Sequence, residues 1–176
     1  MKLEETALPG AFVVRPEPHE DERGLFARTY DEATFAAAGL RTRFPQHSLS
    51  YNRRTGTLRG LHWQEAPHQE AKLVRCTRGR LWDAIVDLRP GSPTRLAWLG
   101  FELSAESRLA LYVPEGFAHG FVTLADDTEV AYLISAAHAP DAARGARWND
   151  PVFGIAWPCE PAVISARDAG YEDFVP

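Results

Sequence analysis

The chain is poor in cysteine, in long apolar runs and in blocks of positive charge. Its 176 residues hold two cysteines, Cys76 and Cys159, which have no metal-ligand spacing and form no disulfide framework. A reducing, cytoplasmic setting is therefore expected. The opening Met1-Lys-Leu-Glu-Glu-Thr6 has no apolar core of signal-peptide length, and no segment approaches membrane-spanning length. A net charge of -5 argues against nucleic acid as a partner, while leaving room for a local basic pocket. No repeat, low-complexity tract or linker interrupts the chain. What remains is ordinary globular composition, 45% hydrophobic and 24% charged, sized for a single domain over residues 1–176 with a sizeable core.

The local patterning is mainly that of strands. Ala11 to Pro16, Gly24 to Tyr30, Arg95 to Leu103, Leu109 to Val113, His119 to Leu124 and Glu129 to Ser135 read as strands. His19 to Gly24 reads as a charged turn. One short helix is expected over Asp31 to Ala38, with Asp31 as N-cap and Gly39 as its stop. Lys72 to Cys76 and Arg80 to Leu88 flank Thr77-Arg78-Gly79, which predicts a hairpin. Short strands at this spacing imply an all-β sandwich or barrel of jelly-roll type. The stretch from Pro140 to Pro176 is expected to wrap its outside.

Gly56-Thr-Leu-Arg-Gly-Leu-His-Trp-Gln64 places Arg59 three residues before His62 in a run rich in β-formers. Gly56 and Gly60 allow a bend there, or a close neighbour. Period-two parity puts Lys72 on one face with Val74 and Cys76, and Tyr132 with Val130 and Ile134. An ammonium turned toward an apolar interior is costly unless it meets an anion or a polarised oxygen. Asp83, in mid-strand, is the more notable of two acids on its segment, and Asp87 beside Arg89 reads as a strand-end ion pair. A core tyrosine and a hydrogen-bonded structural histidine remain the plain alternatives for Tyr132 and His62.

Pro114-Glu-Gly-Phe-Ala-His119 has the shape of the second β-barrel motif of the cupins. The first cupin motif supplies a His-x-His pair, but here Gln64 stands where the second histidine would be, and His68 follows Pro67 in a loop. A three-histidine metal site therefore lacks a well-spaced donor set.

The chain resembles the dTDP-4-dehydrorhamnose 3,5-epimerase family of cupin-fold nucleotide-sugar epimerases. The stretches that carry the resemblance are Asp21-Glu-Arg-Gly-Leu-Phe26, Gly56 to Gln64, Lys72-Leu-Val-Arg75, Asp83 to Arg89 with Ser92-Pro-Thr94, Pro114 to Phe121, Trp148-Asn-Asp-Pro151, Gly154-Ile-Ala-Trp-Pro158 and Ser165-Ala-Arg-Asp168. They cover nearly the whole chain in order. The resemblance implies a cupin-type jelly roll with one or two short helices and a C-terminal extension. It implies His62 as base, Asp168 as its orienting carboxylate, Tyr132 as general acid and Lys72 beside the keto oxygen. It also implies substrate contacts from Arg59, Gln46, Ser48, His119, His138 and Arg167. Arg23 and Phe26 would come from a neighbouring subunit in a homodimer with exchanged N-terminal strands. The substrate would be a nucleotide-diphosphate keto sugar, with no cofactor and no metal, because the ketone is the electron sink.

Departures from the family pattern cluster at the nucleotide end. Ser48 stands where an asparagine is common, Arg28 where a glutamate is usual, His138 where an aromatic stacks on the base, and Ala143 where a glutamate is expected. The reaction is thus expected to be retained while the nucleotide, the sugar or the set of epimerised carbons differs. Alternatives are a related keto-sugar isomerase, a metal-dependent dioxygenase and a non-catalytic sugar-nucleotide-binding cupin. The complete set of His62, Lys72, Tyr132 and Asp168 favours epimerisation.

Overall fold

A computed structural model describes residues 1–176. In chain order the strands are β1 (Lys2–Glu5), β2 (Phe12–Arg15), β3 (His19–Asp21), β4 (Gly24–Phe26), β5 (Gln46–Asn52), β6 (Thr57–Gln64), β7 (Lys72–Arg78) and β8 (Arg80–Asp87). They continue as β9 (Trp98–Ser104), β10 (Ala110–Val113), β11 (Phe117–Thr123), β12 (Thr128–Ile134), β13 (Ala143–Gly145) and β14 (Val163–Ile164). Two short helices, α1 (Glu32–Ala37) and α2 (Ala166–Ala169), and one 3-10 turn (Pro140–Ala142) complete the regular structure. The all-β jelly-roll expectation is met.

One sheet runs β1-β2-β10-β7-β12-β5, and the other β13-β6-β11-β8-β9 with β14 added to β6. Alternating side chains of both sheets meet in a shared core that includes Val74, Ile85, Leu111, Phe121 and Val130. The outer face of the first sheet is covered around Phe35 of α1, with Leu73, Ala110 and Tyr112. Fully burying a phenylalanine such as Phe35 contributes about 1.5–3 kcal/mol, which is why so short a helix persists. Asp31 caps α1 by accepting from the Thr34 amide at 2.9 Å, as expected.

Three local expectations need correction. Thr77-Arg78-Gly79 is not a hairpin: β7 pairs with β10 and β12, whereas β8 pairs with β9 and β11. The turn carries the chain from one sheet to the other. Gly79, at φ +72, sits against Thr128, and the Cys76 thiol hydrogen bonds to the Arg78 and Gly79 carbonyls. A tight turn has the same local chemistry whether its arms pair or part; packing between the sheets decides which.

Secondly, His19 to Gly24 is not only a turn, because β3 and β4 form a small hairpin of their own around Glu22 and Arg23. Thirdly, the C-terminal stretch does more than wrap. Phe153, Trp157 and Phe174 do cover the outer face of the second sheet. The chain then returns, so that β14 pairs with β6 and α2 lies at the mouth of the barrel.

Candidate active site

The sheet registers create a polar inner patch from sequence alternation alone. On the first sheet Tyr132 lies opposite Val74 on β7 and Ser48 on β5, while Ile134 lies opposite Lys72 and Gln46. On the second sheet His119 lies opposite His62. Between these faces is a cavity of about 610 Å3. Its lining includes His62, Lys72, Tyr132, Asp168, Arg59 and His119, and at the outer end Gln46, Ser48, His138 and Arg167. Ten of the twelve residues singled out in the sequence are thus brought to one place. Arg23 and Phe26 are not among them: both lie on the β3–β4 hairpin, where Arg23 pairs with Asp21 and Phe26 is 73% exposed.

His62 is held by a carboxylate from far along the chain. Its Nε2 lies 2.8 Å from Asp168 Oδ1, and the other carboxylate oxygen accepts the Gly60 amide at 3.1 Å. That amide is free because β6 and β11 are out of step between His119 and Phe121, a bulge that removes it from the ladder. Gly60 has φ +107, and a Cβ there would come within 2.7 Å of the Gly120 Cα and the His119 carbonyl, so only glycine fits. Asp168 is placed by α2, whose N-cap Ser165 accepts the Asp168 amide at 3.0 Å. Burial raises the Asp168 carboxyl, but hydrogen bonding and charge from His62, with the Gly60 amide and Ser165, bring it below the usual carboxylate range. With Nε2 so engaged, Nδ1 has no protein hydrogen bond and is the nitrogen left for a ligand.

The opposite wall carries the other groups. Burial first, then the Asp83 carboxylate, raise the Tyr132 hydroxyl far above its usual value, so it stays a proton donor at neutral pH. Lys72 is buried, and its Nζ lies 2.9 Å from Glu70 Oε1. The anion required by its inward position is therefore a residue of its own chain.

Several supporting contacts escaped the sequence reading. His119 Nε2 lies 2.6 Å from Asp83 Oδ1, and both side chains are buried. Asp83 is thereby explained, although its Oδ2 has no partner. Asn52 accepts from Arg59 Nε at 2.8 Å while its own amide donates to the Thr128 carbonyl, aiming the guanidinium along the cavity wall. Gln64, standing at the second cupin histidine position, clamps the neighbouring loop. Its amide donates to the His68 and Ala137 carbonyls and its oxygen accepts the Ala139 amide. Alternation around Lys72 would have pointed to Glu70; nothing in the local sequence pairs Asn52 with Arg59. Asp87 is the structural ion pair expected, gathering Arg89, Ser92 and Thr94.

Known proteins share this sequence pattern and fold. A family model described as dTDP-4-dehydrorhamnose 3,5-epimerase matches residues 5–175. A dTDP-4-dehydrorhamnose 3,5-epimerase of Methanothermobacter thermautotrophicus is 44% identical over 170 residues, covering 95% of this chain and 91% of that protein. The crystal structure of the enzyme of that name from Elizabethkingia anophelis superposes with a TM-score of 0.95 at 39% identity, covering 99% of this chain and 96% of that one. The Bacillus anthracis enzyme, solved with TDP and PPi bound, gives a TM-score of 0.94 at 37% identity, covering 98% and 99%. These names favour epimerisation over the isomerase, dioxygenase and binding-module alternatives. The chain belongs to the dTDP-4-dehydrorhamnose 3,5-epimerase family of cupin-fold enzymes.

Proposed function

We propose that residues 1–176 are a single epimerase domain that inverts a nucleotide-linked 4-keto-6-deoxy sugar at C3, C5 or both, in deoxysugar biosynthesis and in the cytoplasm. The observation that carries this reading is the placement of the His62–Asp168 pair and the Tyr132 hydroxyl on opposite walls of one cavity. A C4 ketone acidifies the hydrogens on the neighbouring carbons. His62 Nδ1 takes one as a proton, and the C–H electron pair moves into the enolate on the C4 oxygen. Lys72 stabilises that oxygen. Tyr132 returns a proton from the other face, and the resulting tyrosinate recovers one from solvent or from the imidazolium. The ketone is the electron sink, so the steps need no cofactor.

Arg59, fixed by Asn52, suits the diphosphate as a planar donor fork. The base would lie toward Gln46, Ser48 and His138, where Gln46 Oε1 accepts the His138 amide at 2.9 Å. Arg23 and the exposed Phe26 are offered to a second copy, in a homodimer with exchanged N-terminal strands. No helix is long and apolar enough to cross a membrane.

The test is proton NMR of the purified protein with dTDP-4-keto-6-deoxyglucose in deuterated water. Deuterium at C3 and C5 supports the full reading, and deuterium at C3 alone reduces it to a 3-epimerase. Absence of exchange with this sugar, and with its analogues on other nucleotides, would remove the reading.

A further inference from the structure

Two carboxylates line the cavity. Asp168 is taken up by His62 and the Gly60 amide. The other, Glu70, lies two residues before Lys72, the first residue of β7. Its Oε1 is 2.9 Å from Lys72 Nζ, and the two side chains are only 13% and 11% exposed. Nζ has no other protein partner. An ammonium has three donors on a flexible four-carbon stem, so one short ion pair removes much of its freedom and leaves donors for a ligand.

We propose that Glu70 is a positioning residue, holding the Lys72 ammonium at the cavity wall where the sugar's C4 oxygen arrives. The inference rests on the epimerase reading and deepens it. While the ketone is neutral, the carboxylate keeps a buried cation compensated. As charge develops on the oxygen, Nζ already stands beside it and has no rotamer search to make. A misplacement of about 1 Å at such a group can cost on the order of 100-fold in rate, so an ion pair that fixes it acts on turnover more than on binding.

The experiment compares wild type with Glu70→Gln, Glu70→Asp, Lys72→Met and the Glu70→Gln/Lys72→Met double variant. The readouts are kcat and KM with dTDP-4-keto-6-deoxyglucose, solvent deuterium incorporation and the thermal unfolding midpoint. Glu70→Gln is expected to lower kcat about tenfold with KM within about twofold, at a near wild-type midpoint. Glu70→Asp, which keeps the charge, should recover part of the loss and stands in if the glutamine variant fails to fold. On the Lys72→Met background, Glu70→Gln should cost nothing further. Wild-type kcat in Glu70→Gln, a loss confined to KM, or the same fold-loss with and without Lys72 would each overturn the assignment. A wild-type protein that exchanges no sugar proton would overturn the epimerase reading itself, and this inference with it, since no enolate would form.

Discussion

His62 and His119 are register partners on adjacent strands, and each meets an aspartate of its own through Nε2: Asp168 at 2.8 Å and Asp83 at 2.6 Å. The pairs differ in exposure. The His62 side chain is 40% exposed at the cavity, whereas His119 is 6% and Asp83 is fully enclosed. A base must reach its substrate, so the open pair suits proton abstraction and the closed one suits shaping the floor. The closed pair also acts on Tyr132, whose ring lies edge-on to His119 with centroids 6.3 Å apart.

Asp168→Asn should lower deuterium incorporation at the sugar carbons by about 100-fold or more, because the carboxylate both selects the His62 tautomer and stabilises the imidazolium. Ser165 still caps α2 in that variant, so the fold should hold. A rate within a few-fold of wild type would show that His62 does not depend on this partner.

Tyr132→Phe removes the proton donor from the wall opposite His62. Abstraction should continue while epimerised product falls sharply, so solvent exchange outpaces product formation. Quantitative NMR of both quantities distinguishes the steps, and full product yield would remove Tyr132 from the acid role.

Gly60→Ala should destabilise the protein by roughly 1–3 kcal/mol, the cost of a side chain held at positive φ, with further loss from contact against the β11 backbone. Because the Gly60 amide also holds Asp168, activity should fall in molecules that remain folded. Thermal unfolding and deuterium exchange on the same preparation would check both effects.

Acid should destabilise the fold through its depressed carboxyls. Asp87 lies well below the usual range: burial opposes this, but Arg89, Ser92, Thr94 and the Arg89 amide outweigh it. Asp168 is lowered as well. A group whose folded value is depressed contributes its full stability above the unfolded value, about 3.9 for aspartate. That contribution is lost as the pH falls toward the folded value. Stability should therefore be flat near neutrality and drop below about pH 4. Asp87→Asn should be less stable at pH 7 and show a shallower acid fall. Unfolding midpoints at pH 7 and below pH 4 measure both, and an unchanged acid slope would assign the sensitivity elsewhere.

The sequence by itself determined most of the long strands and which of their residues face inward. Period-two alternation is a local property, so Lys72 with Val74, and Tyr132 with Val130, could be turned inward before any partner strand was known. Capping is equally local, which made Asp31 and α1 legible. Tertiary structure decided what depends on residues distant in the chain. It sent β7 and β8 to different sheets across a turn that reads as a hairpin, because a turn cannot specify whether its arms pair. It brought Asp83 to His119 over 36 residues, and α2 to β6 over 106 residues. Only the family resemblance had named Asp168 in advance. Strand order and bulges arise from how two faces pack, and that packing put a histidine, a tyrosine and a buried lysine around one cavity.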